Sequence, residues 1–274
     1  AGGNGPTWPA EMRQRMSGFF SLMPHYEQKP FYDEIVQINR EPWGNFPPYV
    51  GRDIDVLNCP SDPRGTSPQG ADRSSNNYVF CGGDVLLRSR LGASNSNPAQ
   101  TLVHVRGSFG ALVTYGMRDM IDGTSNTVFL SERVRPLTSN GFGMVANNTA
   151  ANPAACRAAW NPQTQVLASA YTADTAPMFR HMDGAAYFSG FNTILPPNNA
   201  SCFSGGAGHW GNGYYTASRR HPGGAQVAMG DAKVAFISEN IDAGSQATAP
   251  LGENAGGISP YGVWGALGSK TGGE

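Results

Sequence analysis

Five histidines, His25, His104, His181, His209 and His221, are the first places to look for acid–base or metal chemistry in this 274-residue chain. None lies in H-E-x-x-H, the helical spacing that sets two imidazoles on one metal ion, and no G-x-S-x-G places a serine nucleophile on a strained turn. Gly206-Ala207-Gly208-His209-Trp210-Gly211 matches G-x-G-x-x-G. It follows Cys202-Phe203-Ser204 and precedes Tyr214-Tyr215 instead of joining a long strand to a helix, so dinucleotide binding is not expected. His181-Met182-Asp183 offers two metal ligands without a third, and a loop histidine bonded to backbone is the simpler role. Asp122 and Asn126 in the turn Asp122-Gly123-Thr124-Ser125-Asn126, with Glu132 further along, present the oxygens calcium takes, yet they lack the full EF-hand spacing. An Asx-turn feeding a strand accounts for them as well; calcium is the one cofactor these residues suggest. The aromatic stretches (Trp160, Tyr187-Phe188, Trp210, Tyr214-Tyr215, Tyr261, Trp264) suit either core packing or stacking against sugar rings. No nucleophile or acid–base set assembles, so a non-enzymatic role is expected.

The four cysteines, Cys59, Cys81, Cys156 and Cys202, form no C-x-x-C and allow three pairings. Cys59–Cys81 and Cys156–Cys202 are favoured, because each closes a loop-rich stretch and would limit the unfolded chain. Such bridges require an oxidising compartment; the alternative is four reduced thiols in a cytosolic protein. Composition adds to this. The chain has 19 basic and 20 acidic residues, a net charge of −1, and so lacks the basic footprint of a nucleic-acid or membrane-surface binder. No apolar run is long enough to span a bilayer. With 13 Phe, 10 Tyr and 5 Trp beside so few charges, the surface has little electrostatic defence against self-contact, and a homo-oligomer is expected.

The elements that must position these residues read as α+β, with short N-terminal helices, mainly antiparallel strands and long decorated loops. Phe19, Leu22, Met23 and Tyr26 recur at the helical period, and Pro24 should kink or end that helix. A second helix should start at Pro30 and bury Phe31, Ile35 and Ile38. Strands are expected over 77–81 and 127–132. The alternation Ala225, Val227, Met229 and then Val234, Phe236 predicts a β-hairpin turning at Gly230-Asp231. His221 and Asp231 flank its first strand and should lie at opposite ends, Asp231 in the turn and His221 bonding backbone at the strand entry. Residues 1–16 read as a linker and 17–274 as one extracytoplasmic domain, with polar insertions near 88–105 and 138–170. The tail over 259–268 is apolar and glycine-rich without helical period, and Tyr261 and Trp264 are expected as anchors of a subunit contact.

Several of these stretches resemble one family in the same order. Ser17-Gly18-Phe19-Phe20-Ser21-Leu22-Met23-Pro24-His25-Tyr26-Glu27-Gln28, then Pro30-Phe31-Tyr32-Asp33, resembles the S-G-F-x-x-L-L-P-Y-x-E-Q-x-P-L-Y-D stretch of certain bacterial prepilin-type proteins. Cys59-Pro60-Ser61-Asp62-Pro63 resembles their C-P-S-D-P turn, and Asp122 to Thr127 with Glu132 their D-G-T-S-N-T…E element. Phe191 to Asn198 with Ser201-Cys202 resembles their F-N-T-x-L-P-P-N…S-C run. His221-Pro222-Gly223-Gly224 with Asp231 resembles their C-terminal H-x9-D-G signature. The resemblance implies a pilin- or pseudopilin-like protein, displayed outside the membrane and assembling with itself or with other pilin-like subunits. It also implies a leader and an apolar helix that this sequence does not contain, with membrane attachment only through that helix. An extracytoplasmic solute- or glycan-binding module is the alternative. Ala232 departs from the family's Gly, which should shift the turn onto Gly230-Asp231, since Ala resists φ > 0.

Overall fold

A computed structural model describes residues 15–44, 49–86, 105–111, 113–204, 208–209 and 211–272. The chain enters through helix α1 (Gly18–Leu22), whose N-cap Ser17 accepts a hydrogen bond from the Phe20 amide. Pro24 has no N–H for the α-helical ladder, and the chain tightens there into a 3₁₀ turn over Met23–Tyr26. Glu27, at φ 65°, reverses the chain into α2 (Lys29–Ile38), which carries Pro30 in its first turn and ends at left-handed Asn39. Phe19, Phe20, Met23, Phe31 and Ile35 then share one core with Tyr49, Ile54, Leu57 and Met182.

That helical layer leans on a five-stranded sheet of order β10-β9-β2-β1-β6, formed by β1 (Tyr78–Cys81), β2 (Val128–Glu132), β6 (Gly190–Phe191), β9 (Gly224–Met229) and β10 (Val234–Ser238). All neighbours run antiparallel except β1 and β6. Period-two alternation sends Val79, Cys81, Val128, Val227, Met229 and Ile237 to the inner face, where they meet Phe191 and Trp264. Phe80, Leu130, Ala228, Val234 and Phe236 take the outer face, which α1 covers at one end through Phe19 against Phe80.

A second sheet, β3-β7-β8, joins β3 (Val145–Thr149), β7 (Ser201–Ser204) and β8 (Asn212–Tyr214). The stretch expected as a polar insertion over 138–170 is therefore built into the fold. It holds β3, helix α3 (Pro153–Arg157) and the hairpin β4 (Trp160–Asn161) to β5 (Val166–Leu167). The other expected insertion, near 88–105, lies outside the described residues apart from Val105.

Helix α4 (Ala186–Ser189) precedes β6, and helix α5 (Gly262–Gly268) closes the chain. The tail is thus helical where no helical period was expected, and glycine explains the mismatch. A Cβ on Gly265 would stand 1.9 Å from Ser259 Oγ, and one on Gly268 the same distance from Thr193 Oγ1. The face that packs closest is the one without side chains, so hydrophobic periodicity has nothing to register. Tyr261 and Trp264 are fully buried in their own chain. Trp264 Nε1 donates to the Leu195 carbonyl at 2.8 Å, and Tyr261 Oη to that of Thr248 at 3.1 Å. They are core residues, which corrects their expected role as interface anchors.

Candidate functional site

The sequence-selected residues separate into distinct places. His221 and Asp231 do lie at the two ends of β9, the latter with its Oδ1 accepting from the Lys233 amide at 3.0 Å. His221 is exposed and makes no hydrogen bond among the described residues, so the expected backbone contact is absent. The turn also differs from expectation. Ala232 itself adopts φ 69°, with its amide on the Met229 carbonyl at 3.0 Å, so the left-handed position stays at Ala232 and does not shift onto Gly230-Asp231.

The calcium candidates are not gathered. Asp122 Oδ2 accepts from the Gly272 amide at 2.7 Å, and Asn126 Nδ2 donates to the Asp122 carbonyl at 2.9 Å. Glu132 sits at the far end of β2, half-buried, where desolvation raises its carboxyl pKa against the pull of Arg219. Among the described residues no group of three or more His, Cys, Asp or Glu could hold a metal ion.

Cys156 and Cys202 are bonded, but Cys59 and Cys81 are free thiols, correcting the second expected bridge. Cys81 faces the inner core, where burial pushes its thiol up to about 12, while Cys59 Sγ lies 3.1 Å from Ser61 Oγ. Strand alternation explains the separation: Cys81 belongs to the sheet interior, and Cys59 to a turn held by the Asn77 side chain.

His181-Met182-Asp183 is structural. Asp183 receives Arg15 at 2.6 and 2.5 Å and Arg180 at 3.1 Å. Burial alone would raise its carboxyl, and the two guanidiniums outweigh that and hold it below its ordinary value. Tyr187, Phe188, Tyr214 and Tyr215 are fully buried, which removes them as stacking platforms; Trp210 lies outside the described residues.

Trp160 is different. Half-buried on β4, with its ring 5.6 Å from that of Phe142, it lines an open cleft of about 770 Å³. Four segments build most of the walls. Arg157, in the last turn of α3, stands next to Cys156, so the disulfide to β7 fixes its helix at the rim. The hairpin β4–β5 contributes Trp160, Pro162 and Gln165. The rest of the lining comes from Pro197-Asn198-Asn199 and Arg219-Arg220-His221-Pro222, with Glu239 and Gln246.

Asn198, left-handed at φ 63°, knits this wall together. Its Oδ1 accepts from the Arg219 amide at 2.9 Å, and its Nδ2 donates to Glu239 Oε2 at 3.1 Å. Arg220 is anchored through Nε to Asp62 Oδ1 at 2.6 Å. The Arg219 guanidinium lies 5.4 Å from the centroid of the Phe236 ring. Arg157 makes no hydrogen bond or ion pair among the described residues. Three arginines and a histidine thus line the cleft together with one glutamate, Glu239. The arrangement can hold a negatively charged group, and it presents no paired acid and base or activated nucleophile.

Sequence reasoning selected His221 alone from this wall. The adjacent Arg219-Arg220 pair was the available signal; Arg157 carried none, because the bridge to Cys202 and the Ala154 amide on the Gln246 carbonyl, both to remote parts of the chain, bring its helix here. No helix among the described residues is long and apolar enough to cross a membrane. No curated protein and no solved structure matches the chain. Residues 2–244 match the family described as "Protein of unknown function (DUF1559)", and the chain belongs to that family.

Proposed function

We propose that this chain is a non-enzymatic bacterial protein of the cell surface or periplasm, a pilin-like building block that assembles with copies of itself. The outer face of the five-stranded sheet carries the reading. Val234 is 66% exposed, Phe236 50% and Phe109 38%, on or beside a face that also presents Leu130 and Phe129. Among the described residues β10 is also an edge strand, the kind of edge that suits pairing with a second copy. The Cys156–Cys202 bridge favours an oxidising compartment and hence export.

Light scattering of the purified chain at tens of micromolar is the test, run beside the double variant Val234→Lys, Phe236→Glu. Both side chains are exposed, so the variant should fold. Assemblies larger than one chain that fall apart in the variant are the expected result. A monomeric parent protein overturns the proposal, and so do assemblies that the variant leaves intact.

A further inference from the structure

We infer that the cleft between α3, the β4–β5 hairpin and the strip before β9 binds an acidic saccharide, a sugar carrying a carboxylate. The inference stands on the cleft alone and does not depend on whether the chain assembles.

Charge selects an anion. The Arg157 side chain is exposed and makes no hydrogen bond or ion pair among the described residues, and that of His221, which lines the same cleft, is likewise exposed and without one. Arg220 is balanced by Asp62, and Glu239, which accepts from the Asn198 amide, leaves the charge of one of the two remaining lining arginines uncompensated within the cleft lining. The two cleft side chains without a hydrogen bond or ion pair among the described residues are thus a guanidinium and an imidazole, and Arg219 lines the cleft with them; His221 and Arg219 also lie within electrostatic reach of the half-buried Glu132. A guanidinium fork matches a carboxylate in plane, with two parallel N–H···O bonds.

Shape and polarity select a saccharide. Trp160, backed by Phe142, offers an indole beside the cations, the kind of apolar plate against which the C–H face of a sugar ring packs. Asn199 engages its Oδ1 with the Ala200 amide at 3.0 Å, leaving its Nδ2 for a ligand oxygen. Hydroxyl-rich ligands need scattered polar groups of this sort around one aromatic surface, and a cleft this open also admits a chain of several units.

Calorimetric titration of the full chain with the galacturonic acid trimer tests this, beside the same trimer as its neutral methyl ester. The acid should bind, more weakly as salt rises. The methyl ester should bind about tenfold less tightly or worse, and so should the double variant Arg157→Ala, His221→Ala, titrated with the acid, if its thermal melt is unchanged. Replacing Trp160 by Phe should retain binding, and Trp160→Ser should lose it. Failure of the acid to bind, equal binding of the ester, or undiminished binding by the double variant overturns the inference. Because the titration can be repeated on the sheet-face variant Val234→Lys, whose side chain is not among those lining the cleft, failure of self-assembly and failure of this site are read separately.

Discussion

His181 is fully buried, with Nδ1 3.4 Å from the Ser74 carbonyl oxygen. Desolvation lowers its pKa from 6.5 to about 4, against the weaker upward pull of the Ser74 carbonyl and Asp53. The unfolded chain therefore binds a proton across that window that the folded chain refuses. Stability should fall as pH drops from 6.5 towards 4, by about 3 kcal/mol from this group, and then level off. His209, lowered to about 4 mainly by burial, adds to the same slope. Asp183 acts in the same direction at lower pH, because its depressed carboxyl stabilises the fold above its ordinary pKa and loses that as it protonates. Denaturant unfolding at a series of pH values should show the decline, and His181→Gln should remove roughly half of it between neutrality and the carboxylate range. A pH slope unchanged in the variant would remove His181 from the account. The bland role read for this histidine, a loop residue bonded to backbone, is the one observed. What the local sequence could not carry is the partner of the next acid: Arg15 reaches Asp183 from 168 residues away.

Elements were legible where their signals are local. The β9–β10 hairpin, the Pro24 break and the Phe31–Ile35 face of α2 are found as read, although β10 turns Ile237, and not Val234 and Phe236, into the core. Parallel pairing of β3 with β7 was not legible, because Val145 meets Ser201 across a long stretch of chain and neither strand encodes the other. Helix α4 is a further case. It is one turn long, and its carbonyls at Ala186 and Tyr187, with that of Gly190 beyond, accept from Arg133, a fully buried guanidinium lowered by desolvation to about 10. A distant arginine serves as its cap, opposing the negative end of the helix. The hairpin turn illustrates a strain the sequence announced and the fold kept. Ala232 holds φ 69°, a conformation costing a non-glycine residue roughly 1–2 kcal/mol, while glycine gives back about 0.5–1 kcal/mol in unfolded-chain entropy. Ala232→Gly should therefore stabilise the protein by about 0.5–1 kcal/mol, raising the melting temperature by roughly 2 °C. A lower melting temperature would show that the turn had found another way to relieve Ala232.

At the scale of the whole molecule, the scarcity of charge conceals how much of it lies inside. Arg15, Arg73, Arg106, Arg133, Arg135 and Arg180 are all buried, so the surface is poorer in charge than composition suggests. That deepens the case for self-contact through the outer sheet face. Buried arginines also do the work of joining remote segments. Asp62, in the turn after Cys59, accepts from the Asn77 side chain at 2.6 Å, from Arg135 Nε at 3.2 Å and from Arg220 Nε at 2.6 Å. One carboxylate thereby ties the start of β1, the chain beyond β2 and the cleft wall before β9. Removing it leaves the Arg135 guanidinium, 1% exposed, without its counter-charge. Asp62→Ala should cost about 3–5 kcal/mol, far more than an exposed ion pair such as Lys29–Asp33, whose loss should cost under about 1 kcal/mol. Equilibrium unfolding of the two variants, Asp62→Ala and Asp33→Ala, measures the contrast. Equal stability losses in the two variants would mean that the hub is solvated and holds nothing together.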